Sequence, residues 1–491
     1  MAGGLPIFNP RAGRDLVRDP IYDYIWFTAK LPGEAASERD LIDSRWLQRL
    51  RRIHQLQTAW LVYPGATHDR FSHSLGTMHL SGELAGHLVA SLERQKKGVP
   101  PAFLESLPGS HDVVETARLY GLLHDIGHGP FGHLLDQVWL LPQFGITHEH
   151  IGALILDKEL GETVAGLRRS PDGDLRENVD LAFLKQLITA ATLPAEDPFW
   201  KHALSQALSG LYSPDKLDYV SRDAYYCGTA EYGQMDKKRL CLHSFIDVTE
   251  VKGLALHSSA EGALAGFIAA RLAMYDSVYF HRSVREADAC IAELLPRTME
   301  LLDAGDPREQ LERYYSIDEW YLFSAVRSWL TEGDQERRAI ADGWEKALAR
   351  PFPMRQAYEW KLSLASVTQI EKVFLGDLAT AREQIEERIR KALPEDGNVI
   401  PFRVDLPALD VKPLNPLADK SQVAIFRPSP DNPSAGAFDS RGVSRILAAL
   451  PVKFVACRVF AAPEHVPAVA QACQKALPTD ESSIKLQETL F

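Results

Sequence analysis

Hydrophobic residues recur at helical spacing through most of the first 392 residues. In segment 43–54, DSRWLQRLRRIH, apolar side chains return every three or four positions behind an Asp-Ser pair suited to cap a helix. In segment 59–71, Pro64-Gly65 interrupts a short apolar run, which predicts a brief extended stretch and a turn. Helical spacing predicts further helices at 73–95, 113–127, 149–160, 180–192, 198–211, 215–226, 258–302, 317–331, 336–348 and 369–392.

The pattern changes after about residue 393, where proline and aspartate become frequent. Two runs of β-branched and aromatic residues, 421–428 and 452–461, predict strands. Segments 440–450 and 465–477 predict short helices beside them. We therefore expect a mainly α protein, with a large helical domain followed by a small α+β C-terminal lobe. The expected boundaries are 1–290 for the large domain with its core at about 43–230, 291–395 for a helical extension, and 396–491 for the lobe.

The composition is that of a globular protein, with 45% hydrophobic and 24% charged residues in 491. No apolar run approaches the roughly 18 residues that a membrane span requires. Charge and proline interrupt the first 30 residues, where a signal peptide would need an apolar block. We expect a soluble, cytoplasmic protein. The five cysteines are scattered and form no CxxC pair, which disfavours a disulfide framework and a thiolate zinc site.

The net charge and the positions of the histidines indicate which substrates and which kind of site to expect. The net charge of −12 disfavours broad attraction to nucleic acid or to an anionic membrane, so an anionic substrate would need a local cluster of cations. Ten of the sixteen histidines lie between His68 and His150. Histidines clustered with aspartates are typical of a metal site.

Three segments contain the histidines and aspartates on which the functional prediction depends: 68–74 (HDRFSHS), 122–133 (LLHDIGHGPFGH) and 213–223 (SPDKLDYVSRD). His124 and Asp125 end an apolar helical pattern, and neighbours on a helix lie about 100° apart, so both can reach one ion. A buried carboxylate costs several kcal/mol unless it is paired or bound to metal. The pattern predicts a divalent cation site, and the alternative is a buried hydrogen-bonded network without metal.

With these motifs, and with further His and Asp residues in separate segments, the sequence resembles the HD-domain metal-dependent phosphohydrolases. It is most similar to the branch that contains the deoxynucleoside triphosphate triphosphohydrolase SAMHD and its bacterial relatives. The resemblance covers roughly residues 15–290. It implies one divalent ion, whose identity among Mn, Fe, Mg, Ni and Zn stays open. The implied ligands are His73, His124, Asp125 and Asp215.

The resemblance also implies roles for the residues around the metal. Three histidines would line the phosphates and the attack site, two acidic residues would orient them, and four side chains would hold phosphate and sugar. These are His128, His133 and His148; Asp136 and Glu149; and Arg70, Lys216, Tyr219 and Asp223, the last for the sugar 3′-hydroxyl. The alternative interpretation is a set of turn and cap histidines beside a solvated helix face.

A histidine near the leaving oxygen can act as general acid when a carboxylate holds its tautomer. The sequence offers two such pairs, His133 with Asp136 and His148 with Glu149. We prefer the first pair at this point.

Segment 43–51 is similar to the part of nucleotide-regulated relatives that recognises a guanine base at an allosteric site. The matching positions are Asp43, Gln48 and Arg51. The companion lysine of those relatives is replaced by Asp15, and this reversal of charge weakens the prediction of a nucleotide activator. An equally good interpretation makes Asp43 a helix N-cap and Arg51 a surface charge.

A second departure lies in segment 274–286. The animal enzyme supplies an arginine and a tyrosine from the matching helix, and the corresponding positions here are expected at Val278 and Glu286. Base and sugar selectivity are therefore not carried over. Candidate substitutes one turn away are Tyr279, His281, Arg282 and Arg285.

Three functions are compatible with the sequence. The first is hydrolysis of a deoxynucleoside triphosphate to deoxynucleoside and triphosphate, favoured by the complete KxxYxxxD run at 216–223. The second keeps the site but acts on nucleoside mono- or diphosphates or on single-stranded nucleic-acid ends, although the acidic charge disfavours a nuclease. The third is a non-catalytic nucleotide-sensing protein. The resemblance also implies a homo-oligomer, either a dimer or a tetramer.

Overall fold

The computed structural model describes residues 13–95, 107–332, 334–349, 352–364, 378–394, 399–410, 424–429, 432–439, 451 and 453–477. The helix predicted at 440–450 and the first part of the helix predicted at 369–392 lie outside the described residues.

Helices dominate the described chain up to residue 348, and the prediction of a mainly α fold is confirmed. The α-helices are Glu38–Ile42, Arg45–Arg49, Arg70–Gln95, Ser110–Leu123, His133–Leu135, Leu141–Phe144, His148–Ile155, Gly161–Ala165, Leu181–Ile188, Phe199–Ser209, Pro214–Tyr226, Ala230–Gly233, Lys237–His243, Glu261–Met274, Arg282–Leu301, Leu311–Ser316, Glu319–Glu332, Gln335–Leu348, Leu378–Ala392 and Val466–Ala476.

The strands form small sheets around this helical body. An antiparallel hairpin and a short two-stranded pair lie in the first half of the chain, and two four-stranded sheets join distant segments. The hairpin is Arg14–Asp19 with Asp23–Thr28, and the short pair is Arg169–Ser170 with Gly173–Asp174. One larger sheet has the order Asn432–Asp439, Ala424–Ser429, Gly253–His257, Ser244–Asp247; in the other, Lys453–Ala461 pairs with Arg355–Leu364, Phe402–Asp405 and Ala408–Asp410.

Three local predictions differ from the structure. Segment 59–71 contains the 3-10 turn Ala59–Leu61 rather than an extended stretch, because its backbone N–H groups bond to carbonyls three or four residues back and not to a strand. The predicted helix 43–54 ends at Arg49 and continues as a 3-10 turn. The predicted helix 258–302 is two helices, since a π-helical turn at Tyr275–Tyr279 follows the first and His281 caps the second.

Strand pairing over long distances was also missed. Arg355–Leu364 lies in the segment predicted to be a helical extension, but it is a strand paired with Lys453–Ala461. Ala424–Ser429, predicted to belong to the C-terminal lobe, pairs in parallel with Gly253–His257 of the large domain. Such pairing depends on partners 90 to 170 residues away, so local periodicity does not reveal it. The domain boundaries themselves stay a prediction.

Two helices that pack side by side, Arg70–Gln95 and Ser110–Leu123, form the frame of the candidate site. Leu75 and Met78 of the first and Leu122 of the second are buried in one core. Burial of these side chains fixes the rotation of both helices and so sets where their polar residues point.

No helix in the part of the chain that the structure describes is long and apolar enough to cross a bilayer. All five cysteines are buried with free thiols.

Candidate active site

The four residues predicted as metal ligands come together from three segments. His73 lies in the Arg70–Gln95 helix, His124 and Asp125 directly follow the Ser110–Leu123 helix, and Asp215 lies in the first turn of the Pro214–Tyr226 helix. His73 Nε2 lies 3.2 Å from Asp215 Oδ1. His124 Nε2 lies 3.4 Å from Asp125 Oδ1 and 3.7 Å from Asp215 Oδ1.

The orientation of the two imidazoles fits a bound cation. His124 Nδ1 lies 3.0 Å from the Gly121 carbonyl oxygen, and His73 Nδ1 lies 2.7 Å from Asp218 Oδ2. Both contacts place a proton on Nδ1, so Nε2 is the nitrogen of each ring that faces the carboxylate oxygens and is available to a metal ion. His124 Nε2 is buried and has no hydrogen-bond partner among the described residues. Each Nε2 lies 3.2 to 3.7 Å from carboxylate oxygens, so either a proton or a metal ion must lie between them to offset the repulsion.

The electrostatics of this cluster also favours positive charge at its centre. Burial opposes ionisation of His73, but hydrogen bonds to Asp215 and Asp218 outweigh it and raise its pKa to about 10. Burial would likewise raise the pKa of Asp215, yet His124 and His73 hold it well below the usual range. Two imidazoles and two carboxylates form a donor set that suits one divalent ion, without a decisive preference among Mn, Fe, Mg, Ni and Zn.

Arg70 lies against this cluster from the other side. Its Nη1 donates to Asp125 Oδ2 at 2.5 Å, while its buried Nε has no partner among the described residues. His128 Nε2 lies 3.3 Å from Asp125 Oδ1. Burial and the neighbouring Arg70 guanidinium hold the pKa of His128 well below its usual range, so this ring is neutral. Asp125 thus joins the metal cluster to a cationic side chain and to a second group of histidines.

Gly132 shapes the turn that covers Arg70. Its φ is +51°, and a Cβ at this position would lie 2.2 Å from Arg70 Nη2. We expect Gly132→Ala to lower the free energy of unfolding by about 1–3 kcal/mol, because alanine is strained there and Arg70 must move. Denaturant unfolding measures the effect.

Gly86→Ala is the matched control, because Gly86 lies in the Arg70–Gln95 helix and a Cβ there would meet no neighbouring side chain or loop within 4 Å. This variant should be as stable as the wild-type protein or more so. Equal stability of Gly132→Ala and Gly86→Ala would contradict the proposed strain.

The second group contains His128, His133, Asp136 and His148. His148 Nδ1 lies 2.6 Å from Asp136 Oδ2, and His133 Nδ1 lies 3.5 Å from the same oxygen. The rings of His128 and His148 stack with their centroids 3.6 Å apart. His148 is buried, whereas the His133 side chain is 56% exposed. Burial would raise the pKa of Asp136, but its hydrogen bonds to His133 and His148 hold it well below the usual range.

The pairing of His148 with Glu149 is wrong. Glu149 Oε2 accepts a hydrogen bond from Thr147 Oγ1 at 2.9 Å, and Asp136 is the carboxylate that contacts His148. Asp136 has a second contact with His148, because it accepts a hydrogen bond from the His148 backbone N–H at 3.2 Å.

The residues predicted to hold phosphate and sugar lie along the Pro214–Tyr226 helix. Lys216 Nζ donates to the carbonyl oxygens of Ser209 and Gly210 at 3.2 and 2.6 Å, and burial lowers its pKa to about 8. Asp223 is 1% exposed, so this run is not a solvated helix face. Its oxygens contact His68 Nε2 at 2.8 Å and accept the Tyr279 hydroxyl at 2.6 Å.

An arginine and a tyrosine do lie beside this helix, but not at the expected positions. Tyr219 Oη accepts a hydrogen bond from Arg271 Nε at 3.1 Å, and Tyr279 contacts both Tyr219 and Asp223. Val278 and Glu286 are buried, and Glu286 accepts the Met354 backbone N–H. Tyr279 is one of the four candidate substitutes, whereas Arg271 is not among them. A lone arginine in the apolar segment 261–274 is the sequence signal that could have identified Arg271.

The other three candidate substitutes have different surroundings. His281 caps the Arg282–Leu301 helix, and Arg285 pairs with Asp405 at 2.8 Å. Arg282 lines a separate cavity of about 550 Å³ together with Phe352 and other residues. Of the four, Tyr279 is the one that contacts the predicted sugar-binding residues.

Two of the three candidate allosteric residues, Gln48 and Arg51, contact each other at the surface. Arg51 Nε donates to Gln48 Oε1 at 2.8 Å, and the Arg51 guanidinium lies over the Phe71 ring. Asp43 follows the end of a helix and is not an N-cap, because Ser44 caps the next helix. Asp15 pairs with Arg39 at 3.0 Å. A regulatory role for this group stays a prediction.

Two buried charged residues that the sequence did not indicate support the turn carrying the histidines. Arg49 donates to the carbonyl oxygens of His128 at 2.5 Å and Ile317 at 2.8 Å. Glu319 Oε1 accepts the backbone N–H of Phe131 at 3.0 Å and that of His54 at 3.2 Å. The segment after residue 310 is therefore part of the support of the site.

This chain is similar in sequence and in fold to several known proteins. The HD domain family model matches residues 70–181, which include His73, His124, Asp125 and the second histidine group. Deoxynucleoside triphosphate triphosphohydrolase SAMHD1 of Danio rerio is 30% identical over 407 residues, 76% of this chain and 61% of that protein. Bovine SAMHD1 is 27% identical over 296 residues, 57% of this chain and 46% of that protein. The chain thus spans about half to three fifths of these two relatives.

The chain covers a larger share of some other relatives. YwfO of Bacillus subtilis, an uncharacterized protein, is 27% identical over 359 residues, 70% of this chain and 71% of that protein. A solved structure of a hypothetical protein from Aquifex aeolicus has a TM-score of 0.65 at 22% identity and covers 94% of this chain and 99% of that chain. A phosphohydrolase from Bacteroides thetaiotaomicron has a TM-score of 0.57 at 21% identity, with coverage of 91% and 99%. At these identities the structures show a shared fold.

Proposed function

We propose that the chain is a metal-dependent phosphohydrolase of the HD-domain family, whose model matches residues 70–181, and that it hydrolyses a deoxynucleoside triphosphate to the deoxynucleoside and triphosphate. One observation carries this proposal: the metal cluster, the histidine group and the helix with the KxxYxxxD run are joined through two shared carboxylates. Asp125 contacts His124 and His128, and Asp215 begins the helix that continues to Tyr219. A substrate phosphate at this junction would meet all three parts of the site.

The proposed metal ligands are His73, His124, Asp125 and Asp215. These residues would hold a divalent ion, which would supply polarisation of the phosphoryl group and so favour hydrolysis near neutral pH. Arg70 binds Asp125 through Nη1, so its remaining N–H groups supply positive charge beside the cluster. Such local charge is needed in a protein whose net charge is −12.

His148 is the proposed general acid, supported by Asp136. Because the Asp136 carboxylate accepts the Nδ1–H of His148, the ring presents Nε2 to the leaving oxygen. The contact of His133 with Asp136 is longer, and its side chain is more than half exposed. We therefore assign proton donation to His148 and give His133 a role beside the phosphates.

The sugar is proposed to bind along the wall formed by Tyr219, Asp223, Arg271 and Tyr279. Arg271 donates to Tyr219 and Tyr279 donates to Asp223, and an edge-on contact between the two phenol rings joins these hydrogen-bonded pairs. Aromatic faces suit a deoxyribose ring, and the polar groups suit its hydroxyl. The names of the SAMHD1 relatives support a deoxynucleoside triphosphate as substrate.

A substrate panel tests the proposal. Purified full-length protein is incubated with each of the four deoxynucleoside triphosphates, the ribonucleotides, nucleoside monophosphates and a short single strand, in Mn²⁺ or Mg²⁺, and chromatography separates the products. We expect intact triphosphate and deoxynucleoside, and we expect turnover to cease after treatment with a chelator and to return when metal is added. Release of single phosphates or of nucleotides would instead assign the site to another phosphate ester.

A further inference from the structure

The imidazole of His73 lies between two carboxylates of the same helix. Asp215 Oδ1 lies 3.2 Å from Nε2, and Asp218 Oδ2 lies 2.7 Å from Nδ1. These aspartates are three residues apart on the Pro214–Tyr226 helix and therefore share one face. Asp218 is fully buried and contacts the ring on the side away from the metal cluster.

Asp218 is itself held in place by a buried arginine. Arg222 Nε donates to Asp218 Oδ2 and Arg222 Nη2 donates to Asp218 Oδ1, both at 2.9 Å. Arg222 Nη1 donates to Asp19 Oδ2 at 2.8 Å. Asp19 ends the first strand of the N-terminal hairpin, and its Oδ1 accepts the backbone N–H groups of Ile21 and Tyr22. A continuous chain of hydrogen bonds thus runs from the hairpin turn to His73.

Packing alone does not account for this chain. Asp19, Asp218 and Arg222 are 6% exposed or less, and apolar residues of similar volume are often as stabilising as buried ions. The facing helix carries Gly76, where a Cβ would lie 2.0 Å from Asp218 Oδ1 and 2.3 Å from Arg222 Nη2. Glycine inside a helix costs about 0.5–1 kcal/mol relative to alanine. Buried charge and helical glycine both reduce stability, which favours a role in the site.

We propose that Asp218 is a positioning residue of the metal centre, and that Arg222 and Asp19 connect it to the N-terminal hairpin. By accepting the Nδ1–H of His73, Asp218 fixes the tautomer and the rotation that direct Nε2 to the ion. Bidentate pairing with Arg222 fixes the rotation of the carboxylate itself. The hairpin thereby contributes to metal affinity without contacting the metal. This inference rests on the metal site of the proposed function but not on the identity of the substrate.

Metal binding without substrate is the direct test. The full-length chain is stripped with a chelator and titrated with Mn²⁺, and the free ion is quantified by electron paramagnetic resonance. Asp218→Asn keeps the volume but removes the charge, and it is expected to raise the Mn²⁺ Kd by about 10- to 100-fold. Asp19→Asn should raise the Kd by a smaller factor, since it acts through Arg222.

The matched control is Asp23→Asn in the same hairpin turn. Asp23 is exposed and has a φ of +61°, a conformation that asparagine also adopts. This variant should bind Mn²⁺ like the wild-type protein. Circular dichroism and melting temperature report folding, and a loss of affinity at an unchanged melting temperature supports positioning over a purely structural role.

Two results would contradict the inference, and a third would contradict the metal site on which it rests. A Kd of Asp218→Asn within twofold of the wild-type value would overturn the positioning role. If Asp218→Asn does not fold, the Kd of Asp19→Asn tests the inference in its place. Equal Kd values for Asp19→Asn and Asp23→Asn would overturn the connection to the hairpin. A wild-type chain that binds no Mn²⁺ would instead contradict the proposed metal site, so the two failures are distinguishable.

Discussion

Asp125→Asn is expected to reduce kcat by about 10³-fold or more, because it removes charge from the point where the parts of the site meet. Asp125 lies next to His124, accepts from Arg70 at 2.5 Å and lies 3.3 Å from His128. Asparagine matches the volume of aspartate but is a weak ligand for a divalent cation. The substitution also leaves the buried Arg70 guanidinium without its anionic partner, which lowers the free energy of unfolding by several kcal/mol.

Turnover and bound metal should be measured on the same preparation of Asp125→Asn. Asp157→Asn is the control, because Asp157 is an exposed aspartate whose partner is Lys185. That variant should keep the wild-type kcat and metal content. If Asp125→Asn retained more than a tenth of the wild-type kcat with metal bound, Asp125 would not be a ligand whose charge the reaction needs.

His148→Gln is expected to lower kcat by about 10²- to 10⁴-fold while metal content stays unchanged, as is typical for loss of a general acid. The reason is geometric: Asp136 contacts His148 Nδ1 at 2.6 Å and also its backbone N–H, so the ring is held in one orientation. Asp136→Asn should have a similar effect, because an amide that donates to Nδ1 would favour the other tautomer. Single-turnover kinetics and metal analysis measure both parts of the prediction.

Two further variants make this test specific. His133→Gln should lower kcat less, because this exposed ring lies 3.5 Å from Asp136. His150→Gln is the control: His150 is exposed in the first turn of the same helix, and glutamine can keep its contact with Thr147. If His133→Gln lowered kcat more than His148→Gln did, His133 would be the proton donor. That result would favour the pair preferred from the sequence, His133 with Asp136.

Much of the fold and of the site was predictable from local patterns. Helical periodicity located the Arg70–Gln95, Ser110–Leu123 and Pro214–Tyr226 helices to within a few residues. The four ligands that the family resemblance implies lie together because packing brings the ends of those helices close to one another. Contacts between distant segments were not predictable in this way, as Arg271 illustrates, since its hydrogen bond to Tyr219 joins residues 52 positions apart.

By itself, the sequence determined that this is a mainly helical protein whose histidines and aspartates suit a divalent metal, because periodicity, composition and motif spacing are local properties of a chain. Only the tertiary structure decided which carboxylate orients which imidazole. Asp136 rather than Glu149 contacts His148, and Asp218 holds His73. These contacts join residues 12 and 145 positions apart, so they depend on how the helices pack. A hydrogen bond requires an accuracy of a few tenths of an ångström, which packing supplies and sequence spacing does not.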